Sequence, residues 1–194
     1  MYNNTNTSDV KGTMVKVKLG TKDYALIGQA AALMAICSWI SIPAAVPFTM
    51  QTFAVFLTVG LLGGKRGTVA VLVYLLLGAV GLPVFSGFSG GLGHLMGPTG
   101  GYMIGFIATA LVMWGMEKFM GNSTKVLVVS MVAGLLVCYA FGTAWFIVVY
   151  SRSSGAIGVG AALSMCVIPY IIPDALKIAL ATLLTRRLKR HLPA

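Results

Sequence analysis

Two residues of opposite charge stand three apart in an otherwise uncharged run, Pro173-Asp174-Ala175-Leu176-Lys177. A carboxylate only accepts hydrogen bonds and an ammonium only donates them, so together they can clamp a ligand that offers both an N–H and a carbonyl. Spacing of i, i+3 puts both on one face of a helix. Lys177 precedes the basic cluster at Arg186 by nine residues, about 13 Å along a helix axis. That is near mid-membrane for a spanning helix. Ionisable groups at such depth are costly and face an interior cavity or a functional path. The simpler alternative is a self-neutralising pair that pins a helix bundle.

A second stretch, residues 81–102 (GLPVFSGFSGGLGHLMGPTGGY), breaks the apolar pattern around it with eight glycines, Pro83 and Pro98. Such a backbone accepts positive φ and close approaches and does not continue a straight helix. It also carries Ser86, Ser89, His94 and Thr99. Irregular backbone at a bilayer is tolerated where protein buries it or where it lines a cavity. The expectation is a glycine-rich outer loop that closes the outer end of a binding cavity.

The elements that position these groups follow from composition. The 194 residues are 58% hydrophobic and 9% charged, with a mean hydropathy of +0.91, whereas a soluble domain carries about 25% charged residues. That places the chain in the membrane class. Six spans of roughly the 20 residues needed to cross, some shorter, are expected near residues 24–42, 48–62, 67–80, 100–116, 126–150 and 169–185, the last preceded by a short outer helix. The domain call is a polar tail over 1–23, a six-helix membrane domain over 24–188 and a basic tail over 189–194. The first tail has no apolar core with a cleavage site, so it does not read as a cleavable signal peptide.

Charge sets the orientation. Lys11, Lys16, Lys18, Lys22, Lys65, Arg66, Lys118, Lys125, Arg186, Arg187, Lys189 and Arg190 fall on the side of the termini, and Arg152 falls on the other. The positive-inside rule then puts both termini in the cytoplasm of a multi-pass protein of the cell membrane. The net charge of +10 is therefore topology and lipid-headgroup contact, not a nucleic-acid footprint. Cys37, Cys138 and Cys166 stand alone in apolar runs, as small reduced hydrophobes.

Other patterns fail on context. Gly87-Phe88-Ser89-Gly90-Gly91 matches the G-x-S-x-G nucleophile literally but lacks the strand, helix and base that pattern needs. Residues 60–65 fall one short of a phosphate loop, and Arg66 stands where Ser or Thr belongs. The chain therefore holds no motif for using ATP itself, and no metal-ligand spacing appears.

Four segments together resemble the BioY family, the biotin-specific S components of energy-coupling-factor (ECF) transporters. They are Val46-Pro47-Phe48-Thr49-Met50-Gln51-Thr52-Phe53-Ala54-Val55, Gly78-Ala79-Val80-Gly81-Leu82-Pro83-Val84-Phe85, Gly97-Pro98-Thr99-Gly100-Gly101-Tyr102 and Pro173-Asp174-Ala175-Leu176-Lys177. The resemblance covers residues 25–188. It implies an all-α, six-helix, ECF S-component-like membrane protein that binds biotin from outside. It implies work with a transmembrane coupling protein and a cytoplasmic ATPase pair, with no catalysis and no cofactor of its own. It carries biotin contact onto Asp174 and Lys177, and the coupling-protein surface onto the small residues Ala31 and Ala35 of the first span.

The chemistry agrees with that reading. A ureido ring offers two N–H donors, which Asp174 can accept, and a carbonyl, to which Lys177 can donate. A buried polar group left unpaired costs about 1–3 kcal/mol, so the match also excludes analogues without the ring. Phe53, Phe85 and Tyr102 are candidate apolar walls, with plain packing as the alternative for each. Gln51 and Tyr74 can add hydrogen bonds. The carboxylate of biotin can meet N–H groups of the Ser89-Gly90-Gly91 turn, or it can take Lys177 and leave the ureido ring to Asp174. An S component for another small vitamin and an intramembrane enzyme are the competing readings.

Overall fold

The computed structural model describes residues 20–44 and 46–190. Of the tail expected over 1–23, residues 1–19, with Lys11, Lys16 and Lys18, lie outside the described residues, as do residues 191–194, with His191, while the first helix already begins at Thr21. Six long helices build the body: α1 (Thr21–Trp39), α2 (Gln51–Leu62), α3 (Gly64–Ala79), α5 (Gly100–Met120), α6 (Thr124–Ser154) and α8 (Ile171–Leu188). Between them lie a hairpin of β1 (Ser41–Ile42) and β2 (Phe48–Thr49), and the short helices α4 (Leu92–Met96) and α7 (Val159–Cys166). Three stretches, Gly100–Met120, Thr124–Arg152 and Val159–Leu188, are long and apolar enough to cross a membrane on length and composition alone.

The second span starts later than its hydropathy predicts. Phe48 and Thr49 pair with Ile42 and Ser41 in the hairpin instead of opening the helix. Thr49 explains the delay, because its hydroxyl accepts from the Gln51 N–H at 3.3 Å and donates to the Gln51 side chain at 3.0 Å. Such local bonds compete with helix. Pro43 and Pro47 push the residues before them toward extended backbone. The result is a short α2 whose missing turn is replaced by a hairpin that borders the cavity described below.

At the end shared by the chain termini, side chains tie the helices together. Asp23 at the start of α1 meets Arg66 of α3 at 2.9 Å. Glu117 at the end of α5 accepts from the first amide of α3, Gly64 N–H. Lys189 after α8 reaches Asn122 at 3.1 Å.

The core forms where helices approach closely. In a bilayer little hydrophobic drive brings helix to helix, so association rests on van der Waals fit and small residues. Along α5, Gly101, Gly105 and Thr109 recur at four-residue spacing, and they meet Trp145, Cys138 and Gly134 of α6 in antiparallel order. A Cβ on Gly101 would fall 2.2 Å from the Trp145 side chain, and one on Gly142 would fall 2.2 Å from the Tyr102 ring. Thr109 adds an interhelical bond to the Gly134 carbonyl at 2.9 Å. The α5–α6 distance is thus set by glycine.

The first helix departs from expectation. Gly28, Ala31, Ala32 and Ala35 read from the sequence as one small flank, but Ala31 and Ala35, taken as its partner surface, are turned into the core at 2% and 7% exposure, while Gly28 and Ala32 face outward. Because α1 is small on several sides, its small residues do not say which side packs on α2 and α3.

Replacing Gly142 by Ala should push α5 from α6 and cost about 1–3 kcal/mol through overpacking. Gly115, with nothing within 4 Å of a built Cβ, is the control. Thermal unfolding in detergent should show a lower midpoint for Gly142→Ala and no loss for Gly115→Ala.

Candidate functional site

The last helix begins with the clamp in place. Pro169 lies in a tight turn, Ile168–Tyr170, that leads into α8, and Asp174 sits in the first turn of that helix. A helix N-terminus favours a negative group. Lys177 follows one turn on, with Nζ 2.8 Å from Asp174 Oδ1. The two residues are 3% and 5% exposed. Removing such charges from water costs several kcal/mol per ion unless good geometry and further hydrogen bonds repay it.

Three other elements complete the pair. From α2, the Thr52 hydroxyl donates to Asp174 Oδ1 at 3.3 Å and accepts from Lys177 at 3.1 Å. From α6, the Tyr139 hydroxyl donates to Asp174 Oδ2. From the hairpin, the Phe48 ring lies under the Lys177 ammonium, 4.2 Å from Nζ to centroid. A cation over a ring face is attracted by its quadrupole. Phe48 is in turn stacked on Tyr170, whose hydroxyl donates to the Val46 carbonyl.

Above this pair is a cavity of about 60 Å³. Its polar edge is Thr49, Gln51, Thr52, Ser86 and Thr99, and its aromatic and apolar walls include Tyr102, Met103, Phe106, Tyr139 and Tyr170. Cys138 and Cys166 also line it as free thiols. Of the sequence candidates, the structure brings Asp174, Lys177, Gln51 and Tyr102 together around the cavity.

The others stand behind it. Phe53 is one residue past Thr52 and faces the core. Tyr74 accepts from the Gln51 amide at 2.5 Å and donates to the Val84 carbonyl at 3.0 Å. Phe85 is fully buried edge-on to Tyr74, with its ring seated where a side chain on Gly78 would be. Ser89, Gly90 and Gly91 do not border the cavity; from the loop, Ser86 and Thr99 do.

The loop is built as a seal. Phe85 N–H donates to Ser89 C=O at 3.0 Å and Gly91 N–H to Gly78 C=O at 2.7 Å. Ser38 and Trp39 at the end of α1 donate to the Val84 and Pro83 carbonyls at 2.6 and 2.9 Å. Ser89 gives its proton to the Ser86 carbonyl at 2.7 Å, so His94 Nδ1, 3.1 Å away, is assigned the donor role toward Ser89 Oγ. Burial pulls the His94 imidazole below its ordinary pKa, in keeping with a neutral ring. Among the described residues, no three His, Cys, Asp or Glu gather as a metal site.

Sequence reasoning missed Tyr139, Tyr170 and Thr52 as site residues. Thr52 had a usable signal, since it lies beside Gln51 in the quoted segment. Tyr139 had only its hydroxyl in the middle of a long apolar helix.

Comparison with known proteins adds to this geometry. The BioY family matches over residues 6–194. A Thermotoga maritima protein named biotin transporter BioY is 43% identical over 160 residues, spanning 82% of this chain and 90% of that protein. A Pyrococcus horikoshii protein named probable biotin transporter BioY is 38% identical over 170 residues, spanning 87% and 96%. The crystal structure of an S-component for biotin from an ECF-type ABC transporter aligns with a TM-score of 0.78 at 26% identity. That alignment covers 87% of this chain and 91% of the other.

The loop geometry yields a test of its own. A Cβ on Gly90 would fall 2.2 Å from the Leu82 carbonyl oxygen, and Gly91 holds φ at +91°. Gly90→Ala should therefore open the seal and speed hydrogen exchange at the Phe85 and Gly91 amides, while amides of α5 keep the parent's protection. Unchanged exchange at those two amides would show that the loop absorbs the side chain.

Proposed function

The chain belongs to the BioY family, and from that premise we propose that it captures biotin as the S subunit of an ECF-type importer. The observation that carries the reading is the buried Asp174–Lys177 pair at the base of a cavity walled by aromatic and apolar groups. Asp174 takes ureido N–H donors. An incoming N–H replaces the Thr52 hydroxyl, whose 3.3 Å bond is the longer of the two on Oδ1. Lys177 donates to the ureido carbonyl. Tyr102 and Tyr139 flank the fused ring, and Gln51, held by Tyr74, adds a polar contact. Phe53, Tyr74 and Phe85 act from behind the lining. The valeryl carboxylate points toward the loop, where Ser86 and Thr99 are the nearest polar lining groups and Ser89, Gly90 and Gly91 shape the seal.

Its relatives are named as transporters, and the chain is a transport subunit, not an enzyme. We place both termini in the cytoplasm, with residues 24–188 as the membrane domain and 1–23 and 189–194 as its tails. The energy-supplying partners are a transmembrane coupling protein and a pair of cytoplasmic ATPases. Within α1, Gly28 and Ala32 form the outward small pair at four-residue spacing, which suits close helix packing. The docking flank is assigned to them, in place of Ala31 and Ala35.

Asp174→Asn and Lys177→Met should each weaken biotin binding at least about a hundredfold. Breaking one side of a buried pair costs about 3–5 kcal/mol, and part of that falls on the fold. Equilibrium binding to purified protein, alongside a melting curve, checks this. Parent-like affinity in both variants would leave the pair a purely structural pin.

Ala32→Trp should block co-purification with the coupling protein yet keep biotin binding. Ala31→Trp should instead lower the melting temperature, because its side chain enters the core. A coupling protein that still co-purifies with Ala32→Trp would move the docking surface elsewhere.

A further inference from the structure

A second hollow lies beside the ligand cavity, a groove of about 420 Å³ between α6 and α7. Leu136, Ala140, Ala144 and Ile147 form its α6 side, and Val159 and Leu163 form its α7 side. It opens outward, with Leu136 60% and Val159 63% exposed. In a membrane-spanning protein such a groove faces hydrocarbon. From Leu136 to Ile147 the helix rises about 16 Å, close to one leaflet of a hydrocarbon core roughly 30 Å thick. The two alanines, one turn apart on one face, hollow it out.

The partition between groove and ligand cavity is one side chain thick. Tyr139 borders both, and its hydroxyl is the donor to Asp174 Oδ2. Thr143 borders the groove and bonds at 2.9 Å to Tyr102, which borders the cavity. After α7, Val167 borders the groove while its neighbour Cys166 borders the cavity.

We propose that the groove seats one acyl chain of a bilayer phospholipid, and that this chain holds Tyr139 on Asp174 and so sets the affinity of the ligand site. A ring that borders unfilled space loses its contacts on that side. It can then turn into the space and carry its hydroxyl off the carboxylate. A seated chain closes that path.

Ala144→Phe fills the groove from α6, and Ala140→Phe does so from one turn away should the first variant melt early. Leu180→Phe, exposed on α8 outside the groove, is the control. Native mass spectrometry of detergent-released protein should count one more retained phospholipid on the parent and on Leu180→Phe than on Ala144→Phe. Equal retention on all three overturns the site. The second arm rests on the biotin reading. Delipidated parent should bind biotin about tenfold more weakly than parent with added phosphatidylglycerol, the worth of one hydrogen bond to a charged group. Ala144→Phe should bind equally with and without lipid. Parent affinity that ignores phospholipid overturns the link to Tyr139. Loss of biotin binding in every form and condition, parent included, counts against the biotin assignment instead, and the lipid count still decides the groove.

Discussion

An ion pair sealed away from water must find every partner inside the protein, and much of this fold answers that demand. Asp174 and Lys177 are held by α2 through Thr52, by α6 through Tyr139 and by the hairpin through Phe48. Each contact fixes a backbone. Thr52 reaches the pair because α2 begins at Gln51, a register set by the bonds from Thr49. Phe48 reaches it because the chain before α2 is a hairpin and not another helical turn. The pair is a meeting point of four elements, and its geometry cannot shift without moving several of them.

Glycine supplies the second constraint. Contact of α5 with α6 at Gly101, Gly105, Gly134 and Gly142 sets where Tyr102 and Tyr139 stand. The loop is tied to the same frame by a relay. Thr49 bonds Gln51, Gln51 bonds Tyr74, and Tyr74 bonds the Val84 carbonyl at the start of the seal. Polar edge and loop therefore share a hydrogen-bonded path about two side chains long. In a low-dielectric interior such a path is strong when every member is satisfied.

The sequence makes charge in an apolar run easy to read, which is why Asp174 and Lys177 stand out and why their i, i+3 spacing predicts one shared face; their direct pairing is what the simpler alternative, a self-neutralising pair, describes. The positions of the long helices are legible from hydropathy and from Pro and Gly breakers. The start of α2 was not, since Phe48-Thr49 is as apolar as a helix start but is claimed by local side-chain bonds. The outward side of α1 was not legible either: with Gly28, Ala30, Ala31, Ala32 and Ala35 in one helix, no face stands out. The glycine-rich stretch was rightly seen as irregular. Gly90, Gly97 and Gly100 pack against the loop's own carbonyls, though, and Ser86 and Thr99 are the loop residues that meet the cavity. Tyr139 was hidden for the opposite reason, as one aromatic among many in a 31-residue helix.

A clamp already paired within the protein bears on what the site can select. When a ligand N–H replaces the Thr52 hydroxyl on Asp174, one hydrogen bond is exchanged for another, and the net gain per bond is small. On the proposed reading, affinity comes mainly from apolar contact with Tyr102, Met103, Phe106 and Tyr139, which line the cavity. Discrimination, on the same reading, comes from the clamp, because a ligand that displaces Thr52 without offering a donor would leave a buried carboxylate oxygen underpaired, and one without an acceptor would do the same to Lys177. Specificity is a difference in affinity, and here the larger share of that difference is the penalty on the wrong ligand. The same self-pairing keeps the charges matched with no ligand present, so the fold does not depend on its cargo.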